Sequence, residues 1–302
     1  MNTTVTTTTI SSKKPLTKQE IIASNVKLLI EQLEAGHSEA LTSYLTAMSH
    51  FHNYSFGNVL EIARQMPTAT RVAGFSAWKQ LGRFVKAGSK GIRILAPIVG
   101  VRRKTDEEAA KTNPAYPNKP VLVGFRSAYV FDISQTDGVD LPEMREVHGD
   151  PGDSIDRLAA FLKSKGIQVV YTEKIAPALG MSYGGRIAIL PGQSKAEELS
   201  TLVHETAHEL LHKAERRTAT TKTVRETEAE AVAFVVGKAV GLVTGSASAD
   251  YIHLYHGNAS LLAESLEVIQ QTAAVILAAL EPPIAAEDSV ATEARERAEV
   301  AA

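Results

Sequence analysis

The chain has 302 residues, 44% of them hydrophobic and none of them cysteine. That length suits two ordinary domains or one large one, and the lack of thiols excludes disulfides and thiolate metal ligands. The net charge of −2 conceals an asymmetry: residues 1–135 carry 17 Lys/Arg against 9 Asp/Glu, net +8, and residues 136–302 carry 15 against 25, net −10.

Residues 1–15 are mostly threonine and serine and lack the apolar core of a signal peptide, so they are expected to be a disordered lead. Leu16 to Ala35 follows as a helix, with Ile21, Ile22, Val26, Leu29, Ile30 and Leu33 on one stripe and Thr17 and Glu20 forming a capping box. Further helices are predicted from about Ala40 to His50, from Ser55 or Phe56 to Met66 before Pro67, and from Gly74 to Leu81. The pattern then turns β-like. Ile92–Val101 and Val121–Ile133 should pair as a hairpin around the polar, proline-bearing loop Thr105–Pro120.

No acid occurs between Glu61 and Asp106, whereas ten bases do. Such a window is the electrostatic footprint of a polyanion-binding surface. Aromatic residues interleave with the bases, and single-stranded nucleic acid needs both, phosphates following cations while bases stack on rings. The candidate DNA-binding residues are Tyr54, Phe56, Asn58, Arg71, Trp78, Lys79, Arg83, Lys86, Lys90 and Arg93. Phe75, Trp78 and Phe84 also suit a core. Gly88-Ser89-Lys90-Gly91 lacks the spacing of a phosphate loop and reads as a tight turn bearing a cation. The polar stretch 137–152 reads as a linker, which places the basic domain at 16–136 and a second domain at 153–281.

The second domain is expected to run as helix Asp153–Lys165, strand Ile167–Tyr171, hairpin Met181–Leu190, two helices, and a last helix Asn258–Leu280. The longest apolar run, Ala273–Leu280, is too short to span a bilayer, and 282–302 reads as a disordered tail. Within the first of the two helices, His204-Glu205-Thr206-Ala207-His208 spells H-E-x-x-H. On a helix, histidines four apart share a face and can hold one zinc ion, while the intervening glutamate serves as a base. Ser194 and Glu197 form a capping box, and Leu199, Leu202, Val203, Thr206 and Leu210 give that helix a buried side. A third ligand is needed. His212 lies one turn further, about 6 Å along a straight helix, and suits a helix end better than the metal. After a threonine-rich loop, Glu215–Thr223, the next helix offers Glu226 and Glu230 near its buried face and Glu228 more to the side. Glu230 is the favoured ligand, with Glu226 as runner-up or as a partner of a ligand histidine.

His52 to Pro97, H-N-Y-S-F-G-N-V-L-E-I-A-R-Q-M-P through to G-S-K-G-I-R-I-L-A-P, resembles the N-terminal domain of ArdC-type antirestriction proteins. H-E-T-A-H followed by E-T-E-A-E-A-V-A-F-V-V is similar to that family's zincin-like metallopeptidase domain. The resemblance implies an α+β chain of two domains, one binding single-stranded DNA and one holding a zinc ion, with manganese or another divalent ion also possible. It maps the third ligand onto Glu230 through E-A-V-A-F. It further implies a cytoplasmic bacterial protein linked to mobile elements and free of the membrane, protecting incoming DNA and acting on a protein substrate. Departing from the conjugative-plasmid members, Glu209-Leu210-Leu211-His212 follows the motif here. In the hydrolytic mechanism Glu205 is the base and Arg186–Leu190 is the edge strand that pairs with a peptide. Tyr251, His253, Tyr255 and His256 are candidates for stabilising the oxyanion. Two other readings stand beside it: a DNA-covering protein whose metal only stabilises the fold, and a protease whose basic half binds an acidic protein.

Overall fold

The computed structural model describes residues 17–35, 39–101, 120–139, 151–242 and 259–282. The expected lead, most of the Thr105–Pro120 loop, the Tyr251–His256 cluster and the tail lie outside them.

Three helices begin the fold: α1 (Lys18–Glu34), α2 (Glu39–His50) and α3 (Phe56–Gln65). Thr17 accepts from the Glu20 backbone while Glu20 accepts from the Thr17 N–H, so the predicted capping box starts α1. Strand β1 (Val72–Gly74) and helix α4 (Phe75–Gln80) lead to β2 (Arg83–Val85) and the long hairpin β3 (Ile92–Val101) and β4 (Pro120–Asp132). The first sheet runs β1-β4-β3 and is antiparallel throughout. Alternation sorts the hairpin's side chains: Ile92, Ile94, Ala96 and Val130 are buried, and Phe125 and Tyr129 face outward. β3 is an edge strand, and α3 closes it. Asn58 donates to the Leu95 carbonyl and accepts from its N–H, and Gln65 does the same at Arg93. Two amide side chains thus satisfy backbone groups that an edge leaves open.

Strand β5 (Thr136–Gly138) pairs with β2, so the segment expected to open a linker is part of the basic half. Gly138 has φ 138, and a Cβ there would stand 2.3 Å from the Gly82 carbonyl oxygen, so this close strand approach requires glycine.

The acidic half begins with α5 (Ser154–Ser164) and β6 (Gln168–Tyr171), then β7 (Gly180–Ser182) and β8 (Arg186–Ile189). Its sheet is ordered β6-β8-β7, with β6 parallel and β7 antiparallel to β8. The strand at 186–189 is therefore central, and β7 forms an edge, which corrects the expectation for Arg186–Leu190. Helix α6 (Lys195–Leu211) starts at the predicted Ser194–Glu197 capping box. Where a loop was expected, α7 (Ala214–Ala219) forms, and α8 (Lys222–Ala239) begins at Lys222, capped by Thr221. Helix α9 (Ala259–Leu280) closes the fold.

Helices α6 and α8 pack on each other, and their Leu202, Val203, Ala207, Ala229, Val232 and Val236 are all at or near full burial. Each of the larger aliphatic side chains contributes about 1.5–3 kcal/mol by leaving water. The two halves do not have separate cores. One hydrophobic cluster runs from Val26 to Leu280, because α2 packs on α8 and α9 packs on α1 and α3. Gln270 of α9 reinforces the contact by donating to the carbonyls of His52, 3.2 Å, and Tyr54, 2.9 Å. Ser260–Leu280 is long and apolar enough to cross a bilayer by length and composition, but 50% of it is buried inside the protein. Its Leu262, Leu266, Ile269 and Ile276 are core residues.

Candidate metal centre and nucleic-acid surface

The capped, uninterrupted α6 carries both histidines of H-E-x-x-H on one face. The Nε2 atoms of His204 and His208 lie 3.1 Å apart. Glu226 Oε2, from the second turn of α8, is 3.6 Å from the first and 3.5 Å from the second. Ligand atoms about 2.1 Å from a tetrahedral ion lie about 3.4 Å apart, so the three fit one divalent cation. Two imidazole nitrogens and a carboxylate oxygen suit zinc, manganese or iron. The favoured Glu230 is not in this group. It sits one turn further along α8, on the exposed side, while Glu226 is drawn toward the histidines. The antiparallel helix pair meets the metal face near the start of α8, and one turn carries a side chain about 6 Å along the axis.

Glu205 is 8% exposed. Burial, together with the charges of Glu226 and Glu209, pushes its carboxyl up to about 7, against a hydrogen bond from the Ser182 backbone. Burial holds both histidines below their ordinary value, His208 at about 4, with neighbouring histidines adding to the effect on His208 and Glu226 opposing it. Both imidazoles are therefore held toward the neutral, ligating form, His208 down to about pH 4. Edge strand β7 presses on Glu205: a Cβ at Gly180 would lie 2.8 Å from Glu205 Cγ and 2.6 Å from Thr201 Cγ2. Glu209 locks the adjoining turn. It accepts from Ser182 Oγ at 2.7 Å and from the Gly184 and Gly185 N–H groups at 2.8 and 2.7 Å. Both glycines have positive φ, and their pairing in the sequence was the one available sign of that turn.

Behind the ligands lies a second layer that sequence reasoning missed. α6 ends at Leu211, and His212 turns into the interior as its C-cap. Its Nδ1 is 2.8 Å from His208 Nδ1 and its Nε2 3.0 Å from Glu228 Oε2. Glu228 is fully buried and also accepts from Ser265 Oγ at 2.6 Å and from Arg216, which α7 positions. Burial alone would raise the Glu228 carboxyl, but these donors and the Arg216 charge hold it below the usual carboxylate range. Arg216 reaches Glu264 on α9 as well.

These shifts set the sign of the pH dependence. The Glu205 value is raised, so its contribution to metal-free stability is complete below about pH 4.5 and lost as pH rises through about 7. The His208 value is depressed, so its contribution is present above about 6.5 and lost as pH falls toward 4. Thermal unfolding of the metal-free protein should show the Glu205 slope flatten in Glu205→Gln. Loading Mn2+ or Zn2+ near pH 6.5 should expel up to about one proton, measured by calorimetry in buffers of different ionisation enthalpy. Release undiminished in Glu205→Gln would assign that proton elsewhere.

Of the ten predicted DNA-binding residues, four serve the interior. Trp78 is 0% exposed and donates to the Phe131 carbonyl; Phe56 is core; Asn58 clips β3. Arg83 is buried, donating to Thr136 and to the Val139 carbonyl. Tyr54 is half-buried against Phe51, its hydroxyl donating to the Val72 carbonyl, and Arg71 is half-buried. Lys79, Lys86, Lys90 and Arg93 are exposed. The exposed rings are others: Phe75, Phe84, Phe125 and Tyr129, each 48–59% accessible. Tyr129 stands opposite Arg93 and Phe125 opposite Pro97 in the hairpin register. The period-two alternation of residues 125–130 was the signal that could have singled them out.

A family model described as the N-terminal domain of the anti-restriction factor ArdC matches residues 19–131. The uncharacterized protein pXO2-81 of Bacillus anthracis is 24% identical over 288 residues, covering 81% of this chain but 49% of that protein. The chain thus spans about half the length of that curated relative. Among solved structures, the antirestriction ArdC protein from R388 plasmid is similar in its metal-free form, with TM-score 0.52 at 19% identity, and in its Mn(II)-bound form, with 0.50 at 18%. Both alignments cover 86% of this chain and 97% of that one, and the likeness is one of fold.

Proposed function

We infer, because the chain is an ArdC-type protein with that family's N-terminal domain at residues 19–131, that it is an antirestriction factor with two working surfaces. One binds single-stranded DNA, and the other is a metal-dependent peptidase site of zincin type. The observation that carries the second is the convergence of His204, His208 and Glu226 beside the buried carboxyl of Glu205. A divalent cation held there, zinc or the manganese bound by the R388 relative, would polarise a carbonyl and acidify water. Glu205 takes a proton from the attacking water and passes it to the leaving amine. Among the described strands β7 ends the sheet beside Glu205, so its outer edge is where an extended peptide would pair. The cellular setting that fits this reading is a bacterial cytoplasm receiving foreign DNA as a single strand.

The DNA surface lies on the outer face of the β3–β4 hairpin and the neighbouring α4–β2 region. There the exposed rings stand among Lys79, Lys86, Lys90 and Arg93. A labelled single-stranded oligonucleotide should bind with an affinity that falls steeply with salt. The Phe125→Ala/Tyr129→Ala double variant should lose about 1–3 kcal/mol per stacked base at unchanged salt slope, whereas Lys90→Glu should reduce the slope by about one or more. Undetectable binding at low salt sinks the DNA reading, and an acidic protein then becomes the candidate for the basic half.

A further inference from the structure

We propose that His212 is a positioning residue for the metal centre, fixing the tautomer of His208 so that its Nε2 lone pair faces the cation. The inference rests on the metal reading above and deepens it. The direction of the hydrogen bonds follows from the buried end of the chain of contacts. Glu228 is a fully buried carboxylate that already takes the Ser265 hydroxyl and the Arg216 guanidinium, so it can only accept. His212 Nε2, 3.0 Å away, must then carry the hydrogen. In a neutral imidazole this leaves His212 Nδ1 as the acceptor. The atom facing it at 2.8 Å, His208 Nδ1, must therefore be the donor. His208 Nε2 is left bare, and it is this atom that lies 3.1 Å from His204 Nε2 and 3.5 Å from Glu226 Oε2. The polarity of the ligand is thus set two groups away, by a carboxylate whose own donors come from α7 and α9.

His212 follows His208 at the same four-residue spacing that separates His208 from His204, and the two pairs of rings stand 4.9 and 4.8 Å apart between centroids. As the C-cap of α6, His212 lies in the interior with its side chain 1% exposed. Partners of a ligating histidine typically alter metal affinity about 10–100-fold when removed.

The test uses the full chain, with Mn2+ and Zn2+ affinities measured by competition with a chelator. His212→Leu removes both hydrogen bonds and should weaken binding about 10–100-fold. His212→Gln keeps an acceptor toward His208 and a donor toward Glu228, so it should recover most of the loss. Nitrogen-15 spectra of labelled histidine in the metal-free protein give a readout that packing alone would not move. The wild type should hold His208 as the Nδ1–H tautomer, and His212→Leu should release it to a mixture. Unchanged affinity in a folded His212→Leu protein overturns the proposal, and so does a glutamine variant no better than leucine. Should the leucine variant not fold, the wild-type tautomer still decides, since a majority of Nε2–H at His208 overturns it. If the wild type binds neither ion, the metal reading itself falls and this proposal with it.

Discussion

Glu205→Gln should abolish peptide hydrolysis while leaving the metal in place. The substitution is nearly isosteric in a site where Glu205 is 8% exposed and closely approached by Gly180, so it changes proton chemistry and little else. Loss of a positioned general base costs about a hundred- to ten-thousand-fold in rate. Metal affinity should remain within a few-fold, since Glu205 is not among the three converging ligands. The measurement is cleavage of a fluorescently labelled unfolded protein by the metal-loaded chain, with and without single-stranded DNA, beside metal analysis of both proteins. Cleavage that persists in a metal-loaded Glu205→Gln protein refutes the mechanism. A wild type that binds metal and DNA and cleaves nothing would leave the centre a structural one, its cation stabilising the fold.

The second large effect separates two glutamates one helical turn apart. Glu226→Ala removes the one carboxylate among the described residues that reaches both histidines, at 3.6 and 3.5 Å, and should lower divalent-metal affinity by about a hundred-fold or more. Glu230→Ala should change it less than about two-fold, because that side chain lies on the exposed side of α8. Glu226 is itself partly exposed, its side chain 44% accessible, so its removal should cost the metal-free fold little. The same contrast should appear in thermal unfolding: excess metal raises the midpoint of the wild type and of Glu230→Ala and leaves Glu226→Ala nearly unmoved. Equal losses in the two variants would mean that the helix carries its ligand elsewhere.

Much of the fold was legible because its signals are local. The Thr17–Glu20 and Ser194–Glu197 boxes start helices where the letters put them, and alternation announced the β3–β4 hairpin. H-E-x-x-H likewise fixes its own geometry, since four residues on a helix bring two rings to one face. The third ligand was harder. Glu226 and Glu230 share a stripe of α8, and which of them meets α6 depends on how far the two helices slide past each other. His212, expected at a helix end and outside the metal's ligands, is the C-cap of α6, but its contacts with His208 and with Glu228 on the next long helix were not legible. The errors on the basic half have one cause. An arginine or asparagine in a basic window looks available to DNA until its distant partners are known. Arg83 finds them at Thr136 and Val139, and Asn58 finds them at Leu95, all far along the chain. Trp78 and Phe125 differ in the same way, one filling a core and one standing on the outer face of a strand, though both are aromatic residues near cations.

The position of α9 has a consequence for how the protein is made. This helix lies late in the chain, yet it covers α1 and α3, and its Gln270 satisfies the carbonyls of His52 and Tyr54. During synthesis the early helices must therefore emerge and wait, their apolar faces open, until α9 itself has been made. A nascent chain in that interval is a target for chaperones and proteases. Translation broken off before residue 259 would leave the apolar faces of α1 and α3 uncovered and Glu228 without its Ser265 donor, because the same late helix reaches both halves.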